Sequence, residues 1–402
     1  MSPRTLLVTS IGPNDYEETT YELGGERYAT RFSPVAIADS LGADAAFVPR
    51  TSEAGAAYDE VFAEKFSALG VESSFAEIPK VDSEADVDAI LGAIVHGLQD
   101  GDIEADELVL DITHGFRSLP MVFFAAVMQL DALGNADVRG IYYGEFEFGR
   151  EVQPIIDLTR LHTLMEWYHA FQTFDRTGSL GPVHRLFDDR IEQLFKREEE
   201  PHEFASLVKS LGKTQTALDS GSPLEAGLGA RDVLEKLETF GDDELVGPEG
   251  AVLDPLERRL RPLAVADDAG RKADITLDEA EVLRERAIVD FYRETDRYWL
   301  AVECARELMI TRALYEQNQQ RRWVESQKRQ RISHDLSEIA KQDGEIPEVA
   351  RVWRRIGDIR NAYAHAGFRE DEMPSEQKVD QALRAVHDVV GDETAWADLD
   401  LP

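Results

Sequence analysis

The feature that most limits what this chain can become is an alternation that runs for about 157 residues and then stops. "TLLVTSI" (5–11) is a short apolar run rich in β-formers. "FSPVAIADSLG" (32–42) has helical spacing and ends at a glycine. "ADAAFVP" (43–49) reads as a strand, "AYDEVFAEKFSALG" (57–70) as a helix and "VESSFAEIP" (71–79) as a strand again. "DSEADVDAILGAIVHGL" (82–98) opens with a capping residue and acids, as helices prefer. "DELVLDIT" (106–113) is a strand and "SLPMVFFAAVMQLDALG" (118–134) a strongly apolar helix. "VRGIYYGEF" (138–146) and "VQPIIDL" (152–158) close the series. Parallel strands need a long crossover, usually a helix, so this order predicts a doubly wound parallel sheet, Rossmann-like, over residues 1–158.

From residue 159 the strand signals end. "LHTLMEWYHAFQTFDRTG" (161–178) repeats apolar residues at helical spacing, residues 277–317 read as one or two long helices, and "VARVWRRIGDIRNAYAHAG" (349–367) as another. Gly367 stands where a helix-stopping glycine belongs. Residues 241–275 are rich in Gly, Pro and Asp and predict a loop-rich insertion. The expected organisation is an α/β domain over 1–158 followed by an all-α domain over 159–402.

Charge and cysteine narrow the setting. The 79 acidic and 43 basic residues give a formal net charge of −36. The acid is spread along the chain, and arginine far outnumbers lysine. Such a surface suits a cytoplasm of very high salt, where the Debye length shrinks to about 3 Å at 1 M, better than the alternative of an acidic protein that avoids nucleic acid. The lone Cys304 excludes an intramolecular disulfide and a cysteine-rich zinc site. No apolar run reaches membrane-spanning length, and "MSPRTLLVTSIG" reads as a first strand, not a signal peptide. A cytoplasmic protein with no membrane partner is expected. Two basic islands, "RRWVESQKRQR" (321–331) and "RVWRRIGDIR" (351–360), stand out against the acid and read either as contacts for a phosphate backbone or as solvated helix faces paired with nearby acids. Arg321, Arg322, Arg354 and Arg355 are the residues concerned.

In open parallel sheets, ligands bind beyond the carboxyl ends of the strands. Two such ends carry small and polar groups. In "TSIGPNDYEETTY" (9–21), Gly12 and Pro13 turn the chain while Ser10, Asn14, Tyr16 and Thr19 offer hydroxyls and an amide. In "DITHGFRS" (111–118), Thr113, His114 and Gly115 lead into a helix at Ser118, whose free N–H groups suit an anion. Arg117 can bind phosphate through two donors, and Ser118 can cap the helix. An ordinary strand–helix turn explains Gly115 and Ser118, but explains Thr113, His114 and Arg117 less well. Neither G-x-G-x-x-G nor a Walker motif is present, which argues against a dinucleotide or P-loop NTP hydrolysis.

The helical half contains "RNAYAHAG" (360–367). The pattern R-x-x-x-x-H occurs three times, at Arg197/His202, Arg329/His334 and Arg360/His365. Composition alone would place about one such pair in the chain, so the spacing needs context. Pro201 disrupts any helix through the first, and the second lies in a basic stretch. Only the third combines Asn361 with Ala362, Ala364 and Ala366. His365, expected in the last helical turn, suits proton transfer. On an ideal helix Arg360 and His365 point about 140° apart. Two copies facing across a groove would converge them, which points to a composite site in a homodimer. No convincing metal-ligand cluster is seen.

These segments, "TSIGPNDYEETTYEL", "DITHGFRSLP", "EWYHAFQTFDRTG" and "RNAYAHAG" in this order, resemble the CARF–HEPN ribonucleases of type III CRISPR systems. The resemblance implies a dimeric CARF domain that senses cyclic oligoadenylate as an allosteric activator. It implies a HEPN domain that cuts single-stranded RNA without a metal or other cofactor. By resemblance, Arg360, Asn361 and His365 would be catalytic, and Ser10, Gly12, Thr113, His114, Gly115 and Arg117 would lie in ligand loops. Thr113 or His114 would serve any slow degradation of the ligand there. The alternative is a cyclic-oligoadenylate-responsive regulator or binding protein with a non-catalytic effector. That would need a basic recognition helix, whereas residues 159–220 are mostly acidic.

Overall fold

The computed structural model describes residues 3–99, 105–134, 136–196, 202–240, 253–266, 269–365, 368, 372–397 and 399. The chain forms two compact units, Met1–Met165 and Glu166–Pro402.

The first unit holds strands β1 (Thr5–Val8), β2 (Thr19–Leu23), β3 (Glu26–Thr30), β4 (Ala45–Arg50), β5 (Glu72–Glu77), β6 (Glu107–Asp111), β7 (Asp137–Gly144) and β8 (Val152–Asp157). Its crossover helices are α1 (Ser33–Leu41), α2 (Ser52–Ala68), α3 (Glu84–Gln99) and α4 (Leu119–Ala132). They form one sheet in the order β3-β2-β8-β7-β6-β1-β4-β5. Leu6 and Val8 face one side of β1 and Leu7 the other, as the two-residue period of a strand requires. Leu7, Val48 and Val109 pack with Ile37 of α1 and with Phe62 and Phe66 of α2. Leu6, Val8, Leu108 and Leu110 pack with Ile90 and Ile94 of α3 and with Phe123 and Val127 of α4.

The α/β class is as the alternation predicts, but the sheet is mixed at one edge. β5, β4, β1, β6 and β7 run parallel, whereas β8 is antiparallel to β7 and β3 antiparallel to β2. The expected loop over 9–21 ends early because Thr19–Leu23 and Glu26–Thr30 form a hairpin. Gly24 (φ +63°) and Gly25 (φ +86°) turn it, as a two-residue turn with both φ positive demands.

The helical unit continues from α5 (Arg160–Thr177) through α6 (Gly181–Lys196), α7 (His202–Asp219), α8 (Pro223–Phe240) and α9 (Leu253–Leu260). It closes with α10 (Glu279–Glu294), α11 (Tyr298–Glu316), α12 (Ser326–Ala340), α13 (Glu348–Ala364), α14 (Glu376–Gly391) and α15 (Glu393–Ala397). The stretch 277–317 is thus two helices, broken at Asp296, which takes a positive φ of 57°. α11 lies at the centre of this part, packed against α10, α12, α13 and α14. It carries Arg312, only 1% exposed, with its charge met by Glu279 at 3.0 Å and Glu316 at 2.5 Å. No described helix is long and apolar enough to cross a membrane.

The loop expected over 241–275 needs correction where it is described. Leu253, Leu256 and Leu260 share one helical face, Asp254 stands in the first turn, and Arg258 and Arg259 stand in the last. Charges so placed favour the helix, and Leu256 and Leu260 are buried. Residues 241–252 lie outside the described residues. Replacing Leu260 by Ala is expected to cost about 3 kcal/mol, the usual penalty for a buried leucine cavity. Urea unfolding of wild type and Leu260→Ala measures it, and a loss below about 0.5 kcal/mol, the range of ordinary surface changes, would show that α9 does not pack.

Candidate functional site

β1 and β6 are parallel neighbours at the point where the chain order reverses, with β4 on one side and β7 on the other. Such a switch point opens a crevice beyond the strand ends. The loops after β1 and β6 hold Ser10, Gly12, Asn14, Tyr16, Thr113, His114, Gly115, Arg117 and Ser118, whereas Thr19 opens β2.

A buried carboxylate ties the loops together. Asp111, the last residue of β6, is fully buried. Its Oδ2 accepts from Thr9 Oγ1 at 2.6 Å, and its Oδ1 accepts from the amide and hydroxyl of Thr113. Thr113 Oγ1 in turn accepts from the Gly144 amide at 2.7 Å. Burial pushes the Asp111 carboxyl up to about 6, and the hydrogen bonds from Thr113 and Thr9 restrain the rise. Ser10, also buried, donates to the His114 carbonyl at 2.5 Å. Gly115 takes a φ of +103°, and a Cβ there would meet Ser10 Oγ at 2.6 Å, so only glycine fits.

His114 is half-buried, with Nε2 3.2 Å from Ser33 Oγ and its ring edge-on to Tyr16 at 4.7 Å. Desolvation pushes its pKa down to about 4, so the ring is neutral at pH 7. Tyr16 also packs edge-on against Phe32 and Tyr58, and its hydroxyl accepts from the Gly12 amide at 3.1 Å. Asn14 is exposed, and its carbonyl accepts from Tyr58 at 2.6 Å. Arg117 is exposed and makes no ion pair among the described residues.

Ser118 does not cap α4. Its side chain makes no cap hydrogen bond, because its own backbone is already helical (φ −80°, ψ −27°). The amides of Leu119, Met121 and Val122 bond to turns, and Pro120 has no N–H. The donors free of partners among the described residues are instead the loop amides from Gly115 to Ser118. The unit therefore presents small hydroxyls, loop amides, an exposed arginine and aromatic faces, a set suited to a phosphate-bearing, base-bearing ligand. Sequence reading missed Thr9, Phe32, Ser33, Tyr58 and Asp111. Asp111 alone had a local signal, as an acid ending an apolar strand.

In the helical unit, Arg360 lies in the last turn of α13. Its Nε donates to Glu303 of α11 at 2.8 Å, and its Nη atoms have no partner among the described residues. His365 is the first residue beyond the helix, not part of its last turn. Its φ of −90° and ψ of 9° leave the helical region, while its amide still reaches the Asn361 carbonyl at 3.3 Å. Arg354, Asp358, Asn361 and His365 are all exposed and recur at four, three and four residues, forming one stripe along α13. Arg360 lies off that stripe, on the side of α13 that faces α11. Ala366 and Gly367 lie outside the described residues.

The rival pair loses its arginine to structure. Arg329 binds Glu307 at 2.7 Å and Thr311, and stacks over Trp323. Arg197 lies outside the described residues. The first basic island is largely spent in the same way, for Arg322 pairs with Glu325, Arg331 with Asp335, and Lys328 donates to the Arg321 carbonyl. In the second, Arg355 donates to Gln381 at 3.1 Å, and Arg354 has no partner among the described residues. No group of three or more His, Cys, Asp or Glu side chains among the described residues is placed to hold a metal ion.

Asp111 generates a pH test. Its folded pKa, near 6, lies above the ordinary value of about 3.9. Below about pH 4 both states hold the proton and burial of the acid costs nothing extra. Between about 4 and 6 the unfolded chain releases it first, so stability falls with rising pH by an amount on the order of 3 kcal/mol. The difference in unfolding free energy between wild type and Asp111→Asn, measured at fixed salt, should fall over that window and stay level above it. A difference that is flat from pH 4 to 7 would refute the assignment.

Comparison with known proteins places the first unit. Residues 6–147 match the family described as CRISPR system endoribonuclease Csx1, CARF domain. A CRISPR-associated protein of Methanocaldococcus jannaschii, MJ1674, is 27% identical over 107 residues, which is 26% of this chain and 16% of that protein. This chain therefore matches about a sixth of that relative's length. A solved structure of Enterococcus italicus Csm6 bound to cyclic hexa-2′-fluoro-hexa-dAMP aligns over 99% of this chain and 95% of that one, at 9% identity and a TM-score of 0.45.

Proposed function

We propose that this chain, a CARF-containing CRISPR accessory protein by its residues 6–147, is a type III endoribonuclease switched on by cyclic oligoadenylate. The ligand binds in the crevice between the β1 and β6 loops of two CARF units. The effector is the helical unit, which acts as a HEPN dimer on single-stranded RNA. The observation that carries this reading is the end of α13. There Arg360, held by Glu303 with its Nη atoms left over, stands beside exposed Asn361 and His365.

RNA brings its own nucleophile, the 2′-hydroxyl. Attack on the adjacent phosphate needs a proton acceptor, a proton donor and stabilisation of charge on the phosphoryl oxygens. His365 transfers the proton. Arg360 meets the developing charge through its Nη donors while Glu303 fixes the plane of the guanidinium. Asn361 orients the phosphate or His365 from the same stripe. The products are a 2′,3′-cyclic phosphate and a 5′-hydroxyl, and no metal is required. Arg360 points away from the stripe that carries His365, so a second copy completes the site. The spread of acidic charge fits a protein that works in a salt-rich cytoplasm.

The test uses the purified protein in high salt with EDTA, labelled single-stranded RNA, and cyclic oligoadenylates of three to six units. Cleavage is expected to rise sharply with one ring size. His365→Ala should lower it by about a hundred- to ten-thousand-fold, the span for loss of a general acid–base group. Ligand-dependent cleavage that persists in His365→Ala would remove the site assignment. Ligand binding without RNA cleavage by the wild type would favour a non-catalytic effector.

A further inference from the structure

A second guanidinium lies near Arg360, and no acid among the described residues forms an ion pair with it. Arg306 is one turn after Glu303 on α11. Its Cζ sits 3.9 Å from the centre of the Trp353 ring. One of its Nη atoms stands 2.7 Å from where a Cβ on Gly357 would be. Arg306 therefore crosses α13 at Gly357, one turn before Arg360, and any larger residue at 357 would displace it. Trp353 is itself fixed, donating from Nε1 to Ser337 Oγ at 3.0 Å.

Among the described residues Arg306 makes no hydrogen bond and no ion pair. The nearest acids are engaged elsewhere, Glu303 by Arg360 at 2.8 Å and Glu307 by Arg329 at 2.7 Å. Burial and then the charge of Arg360 pull the Arg306 pKa below its usual value, and the more distant charges of Glu303 and Glu307 offset this only in part. Two like charges thus face each other in a chain with 79 acidic residues to choose from. A bound anion would relieve that repulsion, and a stacked, planar guanidinium is the group best suited to hold a phosphate.

We propose that Arg306 binds the RNA backbone at the phosphate next to the one on which Arg360 acts. This rests on the ribonuclease reading above. It makes Arg306 a substrate-positioning residue, aimed by Trp353 and given room by Gly357. The competing role is packing alone, with the aliphatic stem of Arg306 covering Trp353.

The experiment measures binding of a labelled, mixed-sequence single-stranded RNA to the full chain over a salt series. Every protein carries His365→Ala so that the RNA stays intact. Arg306→Met keeps the stem on Trp353 and removes the donors. It should weaken binding about tenfold and lower the slope of log affinity against log salt by about one. Arg306→Lys, which keeps the charge, should retain the wild-type slope with part of the affinity. Arg306→Gln gives a second neutral probe if the Met variant melts early. Unchanged affinity and slope in both neutral variants, with the reference protein binding normally and the wild type cleaving, would overturn this proposal alone. A wild type that neither binds nor cleaves RNA would overturn the ribonuclease reading and this one with it.

Discussion

One buried carboxylate organises the α/β half of the molecule. Asp111 follows three buried apolar residues, Leu108, Val109 and Leu110, and it is the polar knot on which two loops are tied. A charge so deep is costly unless its oxygens are satisfied. Three donors from Thr9 and Thr113 do this, and in doing so they hold the end of β1 against the end of β6. The placement of Ser10, the crossing of Gly115 and the half-buried His114 all follow from that registration. The two lips of the crevice are thus held at a fixed separation, by Asp111 below and by the Ser10 bond to the His114 carbonyl above it.

The helical half uses charge differently. Arg312 and Arg284 lie inside, each compensated, with Arg284 bound by Glu281 at 2.6 Å and by two backbone carbonyls. Arg360 and Arg306 lie at the margin and are compensated only in part. The same residue type thus serves as core mortar in one place and as an unsatisfied donor in another. The difference is the number of acids facing each guanidinium. Because α11 packs against most of its neighbours, it can supply Glu303 and Arg306 to α13 from a fixed surface.

Much of this was legible in the sequence because it is periodic. Parallel strands buried on both faces read as apolar runs, and the crossover helices between them keep a clear helical spacing. The hairpin β2–β3 was obscured because its residues are polar, and they sit directly after a loop that invites a ligand-binding reading. The Gly24–Gly25 pair flanked by "TTYEL" and "ERYAT" was the signal available. α9 was hidden by composition, since Gly, Pro and Asp around it outweighed three leucines in register. In the candidate sites, the loop residues could be found because each cluster is local. Glu303 could not, because it stands 57 positions from Arg360 and meets it only through the packing of α11 on α13. The stripe of Arg354, Asn361 and His365 was implicit in the spacing, but His365 was placed one position too far inside the helix.

Helix α4 joins two places that matter for different reasons. Its first turn grows out of the loop that carries His114, Gly115 and Arg117. Near its other end Asp131 meets His162, in the opening turn of α5, at 3.3 Å. Fourteen residues make a rod about 21 Å long. Its inward face is locked into the sheet by Val122, Phe123, Ala126, Val127 and Leu130. A tilt of roughly 5° about its first turn would move the Asp131 end by about 2 Å, enough to make or break one hydrogen bond. Helix α4 thus has the form of a lever, whose long arm ends on the segment by which the chain leaves the sheet.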